Sequence, residues 1–167
     1  DEKVKMKGVH VDGESLGSGV ATTVVDASAE ECTAHEIMNL NSRVKINNLK
    51  KIGITDMAVK RINNHSLYFF TTRNLGIPGF ALREFRTMVI WRKETVEGKD
   101  IVYLDVKSTD DLLEEQPVKP GHVVASVHTF WVFKELNKKG EVPQTRVTLQ
   151  SQVNLHSPIP VAVMNKL

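Results

Sequence analysis

The sequence predicts an α+β fold built on one mainly antiparallel sheet. Three observations carry this. Hydrophobic residues alternate with polar ones at a period of two over most of the chain, as half-buried strands require. Short polar turns join most of these runs, which suits antiparallel neighbours. The alternation breaks once, at a helix start, and again near the end, where Pro158-Ile159-Pro160 opens an apolar stretch with a Pro in its first turn. With 167 residues, the chain is expected to form a single domain, 1–167.

The elements follow in order. Strand patterns cover 3–11 and 15–25. Ser28-Ala29-Glu30-Glu31 is then a capping box, a Ser cap with a Glu three residues on, and Cys32, Ile37 and Leu40 follow at helical spacing. The helical tendency continues to about Lys51. Six more strands are expected at 55–62, 66–73, 85–94, 100–107, 122–134 and 145–153. Gly98 makes the turn between the fifth and sixth of the eight predicted strands, and Asn137-Lys138-Lys139-Gly140-Glu141 forms the loop between the last two. In 145–153, Val147, Leu149, Ser151 and Val153 share a face. In 122–134 the apolar face carries Val123, Ala125, Val127, Thr129, Trp131 and Phe133. About eight strands need a cover on that face. The first helix is short, and the terminal one is cut off at Leu167, so either that helix is missing or a partner supplies the cover.

Composition excludes several classes. Hydrophobic residues are 41% and charged residues 25%, which argues against a disordered chain. The formal net charge is +2, too weak to argue for nucleic acid, and no nucleic-acid partner is expected. The single Cys rules out an intrachain disulfide. No run approaches the ~20 apolar residues of a membrane span, and no secretory signal is read. Asn64-His65-Ser66 is the one glycosylation pattern and is taken as accidental. The expectation is a cytoplasmic protein, peripheral to membranes. The start at Asp1 suggests a piece of a longer chain, with other domains of that chain as further partners.

Motifs of catalysis fail on context. Gly13-Glu14-Ser15-Leu16-Gly17 fits G-x-S-x-G, but a strand follows where the motif needs a helix. His35-Glu36 starts a zinc-protease pattern whose fifth position is Asn39. Ser42-Arg43-Val44-Lys45 resembles S-x-x-K without a companion motif, and Gly17-x-Gly19 lacks the third glycine of a dinucleotide site. His122 and His128 lie about 20 Å apart on one strand, too far for one metal, and are expected at the surface or rim. Cys32 sits beside acids, which raise rather than lower a thiol pKa. No catalytic residue, metal site or cofactor is expected. Arg43, Lys45, Lys50 and Lys51 form a basic cluster, read as a solvated face that could also meet lipid headgroups.

Leu75-Gly76-Ile77-Pro78-Gly79-Phe80-Ala81-Leu82 resists a bland reading. It connects two strands, yet it carries Leu75, Ile77, Phe80 and Leu82 where loops are ordinarily polar. It either folds over an apolar hole or touches a membrane or partner.

These residues resemble the START domain, the lipid-transfer module related to the steroidogenic acute regulatory protein. Arg83-Glu84-Phe85 after the apolar loop is similar to the family's Arg-Asp-Phe. Pro120-Gly121-His122-Val123-Val124-Ala125 resembles its Pro/Lys-Gly-Tyr-Val-Arg-Ala. Thr145–Asn154 is similar to its next strand, and Pro160-Val161-Ala162-Val163-Met164-Asn165 to the start of its long C-terminal helix. The resemblance spans about 3–167. Departures are a missing Trp-Asp around Arg43–Leu49 and Val124 in place of Arg. By spacing, the facing carboxylate and arginine of sterol-type members fall on Phe70 and Val89, which implies a more apolar pocket.

The resemblance implies a helix-grip fold, a curved sheet around a hydrophobic cavity with its C-terminal helix mostly cut away. It implies a lipid or hydrophobic small molecule as partner, moved between membranes with transient contact to their surface. From strand parity, the ligand-binding walls are Phe70, Thr72, Val89, Trp91, Val123, Ala125, Val127, Thr129, Trp131, Val147, Leu149 and Val153, with Tyr103 added from the mixed phase of 101–107. The gate is loop 74–82, with Leu75, Ile77, Phe80 and Leu82 as its touching edge and Gly76 and Gly79 as hinges. Two alternatives stand beside this: a ligand-sensing regulatory or interaction domain of a larger protein, and a small-molecule cyclase or hydrolase on the same fold.

Overall fold

The computed structural model describes residues 4–9, 18–37, 43–111 and 114–156. Strands β1 (Val4–Val9) and β2 (Ser18–Val25) precede helices α1 (Ala29–Ile37) and α2 (Arg43–Lys51). Strands β3 (Ile54–Asn63), β4 (Ser66–Arg73), β5 (Arg83–Val96), β6 (Lys99–Ser108), β7 (Val123–Glu135) and β8 (Thr145–Asn154) follow. The expected strands are all present, within a few residues at each end. The expected C-terminal helix from Pro158 and the Gly13–Gly17 motif lie outside the described residues.

The eight strands form one curved, unclosed sheet in the order β1-β2-β8-β7-β6-β5-β4-β3. Every neighbouring pair is antiparallel. One short parallel pairing is added where β5 and β7 run past the end of β6 and meet, Arg83 opposite Val123 and Phe85 opposite Ala125. The β5–β6 turn is Glu97-Gly98 with φ of 52° and 73°, the two positive values a tight two-residue hairpin needs.

The predicted capping box is in place. The Glu31 amide donates to Ser28 Oγ at 3.2 Å, and the Ser28 amide donates to Glu31 Oε2 at 2.8 Å. The Glu31 carboxylate, accepting from both the amide and the hydroxyl of Ser28, is held below its usual range. The Thr145 hydroxyl, fully buried, donates to the Ala27 carbonyl and ties the entry of α1 to β8. The helical stretch expected to run to Lys51 is two helices, with 38–42 between them outside the described residues.

Register assigns each strand residue to a face. Helix α1 packs on the face that carries Leu67, Val89, Val102, Leu104, Phe133 and Val147, and Ala29 and Ile37 join them in the core. We term this the inner face. Its outer counterpart carries Tyr68, Phe70, Met88, Ile90, Tyr103, Asp105, His128 and Phe130.

Candidate functional site

The inner face is a continuous apolar surface. Across its middle, Trp91 stands opposite Leu104, Leu104 opposite Trp131, Trp131 opposite Leu149, and Leu149 opposite Ala21. One row along come Val102, Phe133 and Val147; in the other direction come Val89, Val106, Thr129 and Ser151. The Trp131 and Phe133 rings stack at 5.8 Å. Part of this surface is filled: Val89 and Val147 are buried in the core with α1. The flanks are open. Phe69, Trp91, Val106 and Trp131 are only partly buried, and Leu149 and Ser151 line a groove of about 400 Å³ with Met6 and Ala21. Polar groups are few. The Thr129 and Ser151 hydroxyls share a hydrogen bond of 2.8 Å, and Ser108 Oγ accepts from the Val127 amide.

Of the predicted walls, the structure brings Val89, Trp91, Val123, Ala125, Val127, Thr129, Trp131, Val147, Leu149 and Val153 to this face. Val153 is at its margin, 40% exposed. Phe70, Thr72 and Tyr103 are not there, and their assignment is corrected. Phe70 and Thr72 pair with Arg86 and Glu84 on the outer face. Tyr103 stacks on Phe130 at 6.1 Å with the Arg92 guanidinium 5.1 Å from its ring, also outside. The cause is a shift of one position in β4 and β6, which exchanges faces in any strand. The inward residues of these strands are Leu67, Phe69 and Thr71, and Val102, Leu104 and Val106. In β6 a signal existed: Asp105 and Lys107 share the parity of Tyr103, so their charge marks that side as the wet one. In β4, Leu67-Tyr68-Phe69-Phe70 is apolar at every position, so no phase can be read from it.

The apolar loop leads into β5. Leu75, Ile77, Phe80 and Leu82 are half-buried, and Gly76 and Gly79 hold φ of 70° and 80°, where a side chain would be strained. Arg83 anchors its end. This buried guanidinium donates from Nε to the Leu155 carbonyl at 2.9 Å and from Nη1 to that of Ala81 at 2.6 Å, and lies 6.0 Å from the Phe80 ring. The Val123 amide donates to the Leu82 carbonyl. The loop base is therefore tied to the ends of β7 and β8.

Glu84 points the opposite way. Fully buried, it accepts from Arg86 Nη2 at 2.7 Å, from His122 Nδ1 at 2.6 Å and from the Lys119 amide at 3.2 Å. Burial alone would raise its pKa; the bonds from Arg86, His122 and Lys119 outweigh that and hold it below the usual range. His122, expected at the surface or rim, is thus mostly enclosed, while His128 is exposed and pairs with Asp105. Arg86 also donates to the Gln116 carbonyl and lies over Phe70. Arg83-Glu84-Phe85 works as a rivet with one charge on each side of the sheet. Cys32 has a raised pKa, first from burial and also from Glu31. Among the described residues no His, Cys, Asp or Glu group could hold a metal, and no helix is long and apolar enough to cross a membrane.

No family model and no curated protein matches the sequence. Solved structures do match the fold. The human StarD13 (DLC2) lipid transfer and protein localization domain superposes with a TM-score of 0.70 at 16% identity, over 98% of this chain and 76% of that one. The fold is that of a START domain. Human StAR-related lipid transfer protein 5 gives a TM-score of 0.69 at 14% identity, over 100% and 75% of the two chains. A STAR-related lipid transfer protein fragment from Xanthomonas axonopodis gives 0.65 at 16%, over 99% and 85%. The helix-grip expectation therefore holds at the level of the START sheet. At these identities the likeness speaks for the fold alone.

Proposed function

We propose that the inner face holds a lipid or other hydrophobic molecule and that the protein carries it between membranes. The observation that supports this most is the partly open apolar row Trp91–Leu104–Trp131–Leu149, on a sheet whose solved structural neighbours include lipid transfer domains. A binding role is favoured over catalysis because the enclosed titratable cluster of Glu84, Arg86 and His122 faces outward, away from that row. The protein then works in the cytoplasm and meets membranes transiently, with other domains of a longer chain as further partners.

The mechanism follows from transfer energies. Taking a lipid chain from bilayer to water costs about 0.8 kcal/mol per CH₂, so roughly 13 kcal/mol for sixteen carbons. Passage from bilayer to a dry apolar face is nearly neutral. The protein must therefore meet the membrane so that the chain never crosses bulk water. Loop 74–82 is the gate in this reading: Leu75, Ile77, Phe80 and Leu82 touch the bilayer, and Gly76 and Gly79 let the segment swing. The hydroxyls of Thr129 and Ser151 are placed to meet a polar head. Extraction of labelled lipid from liposomes tests the gate. Phe80→Asp with Leu82→Asp should lower the extraction rate at least tenfold; an unchanged rate would remove the loop from the mechanism.

A further inference from the structure

The outer face of β5–β8 carries an arrangement that a solvated sheet would avoid. Lys134 stands directly opposite Arg146, and the exposed Lys107 lies on the same face of the neighbouring strand. Like charges directly opposite destabilise a sheet. The carboxylates nearby are already engaged, Glu94 with Arg92 and Asp105 with His128. Lys107, Lys134 and Arg146 are exposed and form no ion pair among the described residues. Between these cations apolar side chains are exposed among a few polar ones: Ile90 is 47% exposed and Phe130 37%, on either side of the His128-paired Asp105, with Tyr103 stacked beside Phe130 and Val132 opposite Tyr103. The overall charge of +2 conceals this segregation, because many of the acids lie on α1 and in the loops.

We propose that this outer face is a docking surface for an anionic lipid bilayer. Two features choose the occupant. The unneutralised cations complement a negative surface, at about 1 kcal/mol for each basic residue near it. The face also lies on the outside of the sheet's curve, with β6 and β7 in the middle of the strand order, so Phe130 stands at the crown. A crown touches a broad plane, whereas a peptide segment needs a groove. Aromatic and aliphatic side chains at the crown suit the headgroup boundary, where Phe and Tyr partition favourably. At the foot of the patch, where the strand ends bring residues of both faces together, Lys107, Ser126, His128 and Asn154 line a recess of about 260 Å³ with Ser108 and Val127, and Lys107 supplies its exposed cation. Docking here is independent of ligand uptake by the inner face.

Flotation of the full chain with vesicles tests it. Phosphatidylcholine vesicles containing about 30% phosphatidylserine should capture the protein at low salt and release it at about 0.5 M salt, and pure phosphatidylcholine should not capture it. Lys134→Glu with Arg146→Glu, and separately Lys107→Glu with Phe130→Ser, should each cut capture at least tenfold. The charge-conserving Lys134→Arg with Arg146→Lys should retain it, which controls for folding. Lys134→Glu with Arg146→Glu should leave binding of a doxyl-labelled fatty acid to the isolated protein within twofold of the unaltered chain while vesicle capture falls, so the two surfaces separate. Capture that survives both outer-face variants, equal capture by neutral vesicles, or binding of polyglutamate in place of vesicles would each overturn the proposal, the last pointing to an acidic polypeptide as the partner.

Discussion

Thr72 and Glu84 are neighbours across β4 and β5, and both are buried on the outer face. Their contrast shows what a buried polar atom needs. Thr72 Oγ1 has no hydrogen-bond partner, so its desolvation is uncompensated, at about 1–3 kcal/mol. Thr72→Val keeps the shape and removes the orphan; it should raise unfolding free energy by about 1 kcal/mol in urea titrations. Glu84 is the reverse case. Its three partners hold a charge that burial opposes. Glu84→Gln leaves Arg86 buried without its counter-charge and should cost about 3–5 kcal/mol. The pH dependence has a definite sign. Folding lowers the Glu84 pKa from 4.5, so the unfolded chain binds the proton more readily. The stabilisation is complete above that value and disappears as pH falls through the lower folded-state pKa. Unfolding free energy measured between pH 6 and 3 should fall below about 4.5 in the native chain and fall less steeply in Glu84→Gln. Parallel curves would show that the outer cluster does not report on Glu84.

At the scale of elements, local chemistry was readable where one pattern dominated. The Ser28–Glu31 capping box carries its own geometry, and Ser28→Ala should cost about 1 kcal/mol, seen as a lower thermal midpoint with the sheet intact. Strand β8 was phased correctly because polar and apolar residues alternate through 145–153, and β7 because Ser126 and His128 mark its wetter side even though Phe130 and Val132 share that side. β4 and β6 were misphased because both of their faces are partly apolar. The outer face of β4 is covered by the segment after β6, through Arg86 to Gln116 and Tyr68 to Asp111. That cover is a tertiary fact with no local signature. His122 was misplaced for the same reason: nothing within its own strand announces Glu84, 38 positions away. The loop before β5 was legible as anomalous, but its anchoring by Arg83 to the Leu155 carbonyl was not, since any backbone carbonyl could have been the acceptor.

At the scale of the molecule, the account rests on a division of labour between the two faces of one sheet. The inner face is apolar, partly open and bordered by a loop tied to β7 and β8; the outer face carries the enclosed Glu84 cluster and a basic, aromatic crown. Both tryptophans of the chain, Trp91 and Trp131, lie on the inner face. Tryptophan emission therefore reports on that face alone. The most direct measurement is quenching by a doxyl-labelled fatty acid titrated below its micelle concentration. The account predicts saturable quenching that Leu149→Arg abolishes and Tyr103→Ser leaves unchanged. Emission that the labelled chain never quenches, or quenching lost on changing Tyr103 rather than Leu149, would contradict a hydrophobe bound on the inner face.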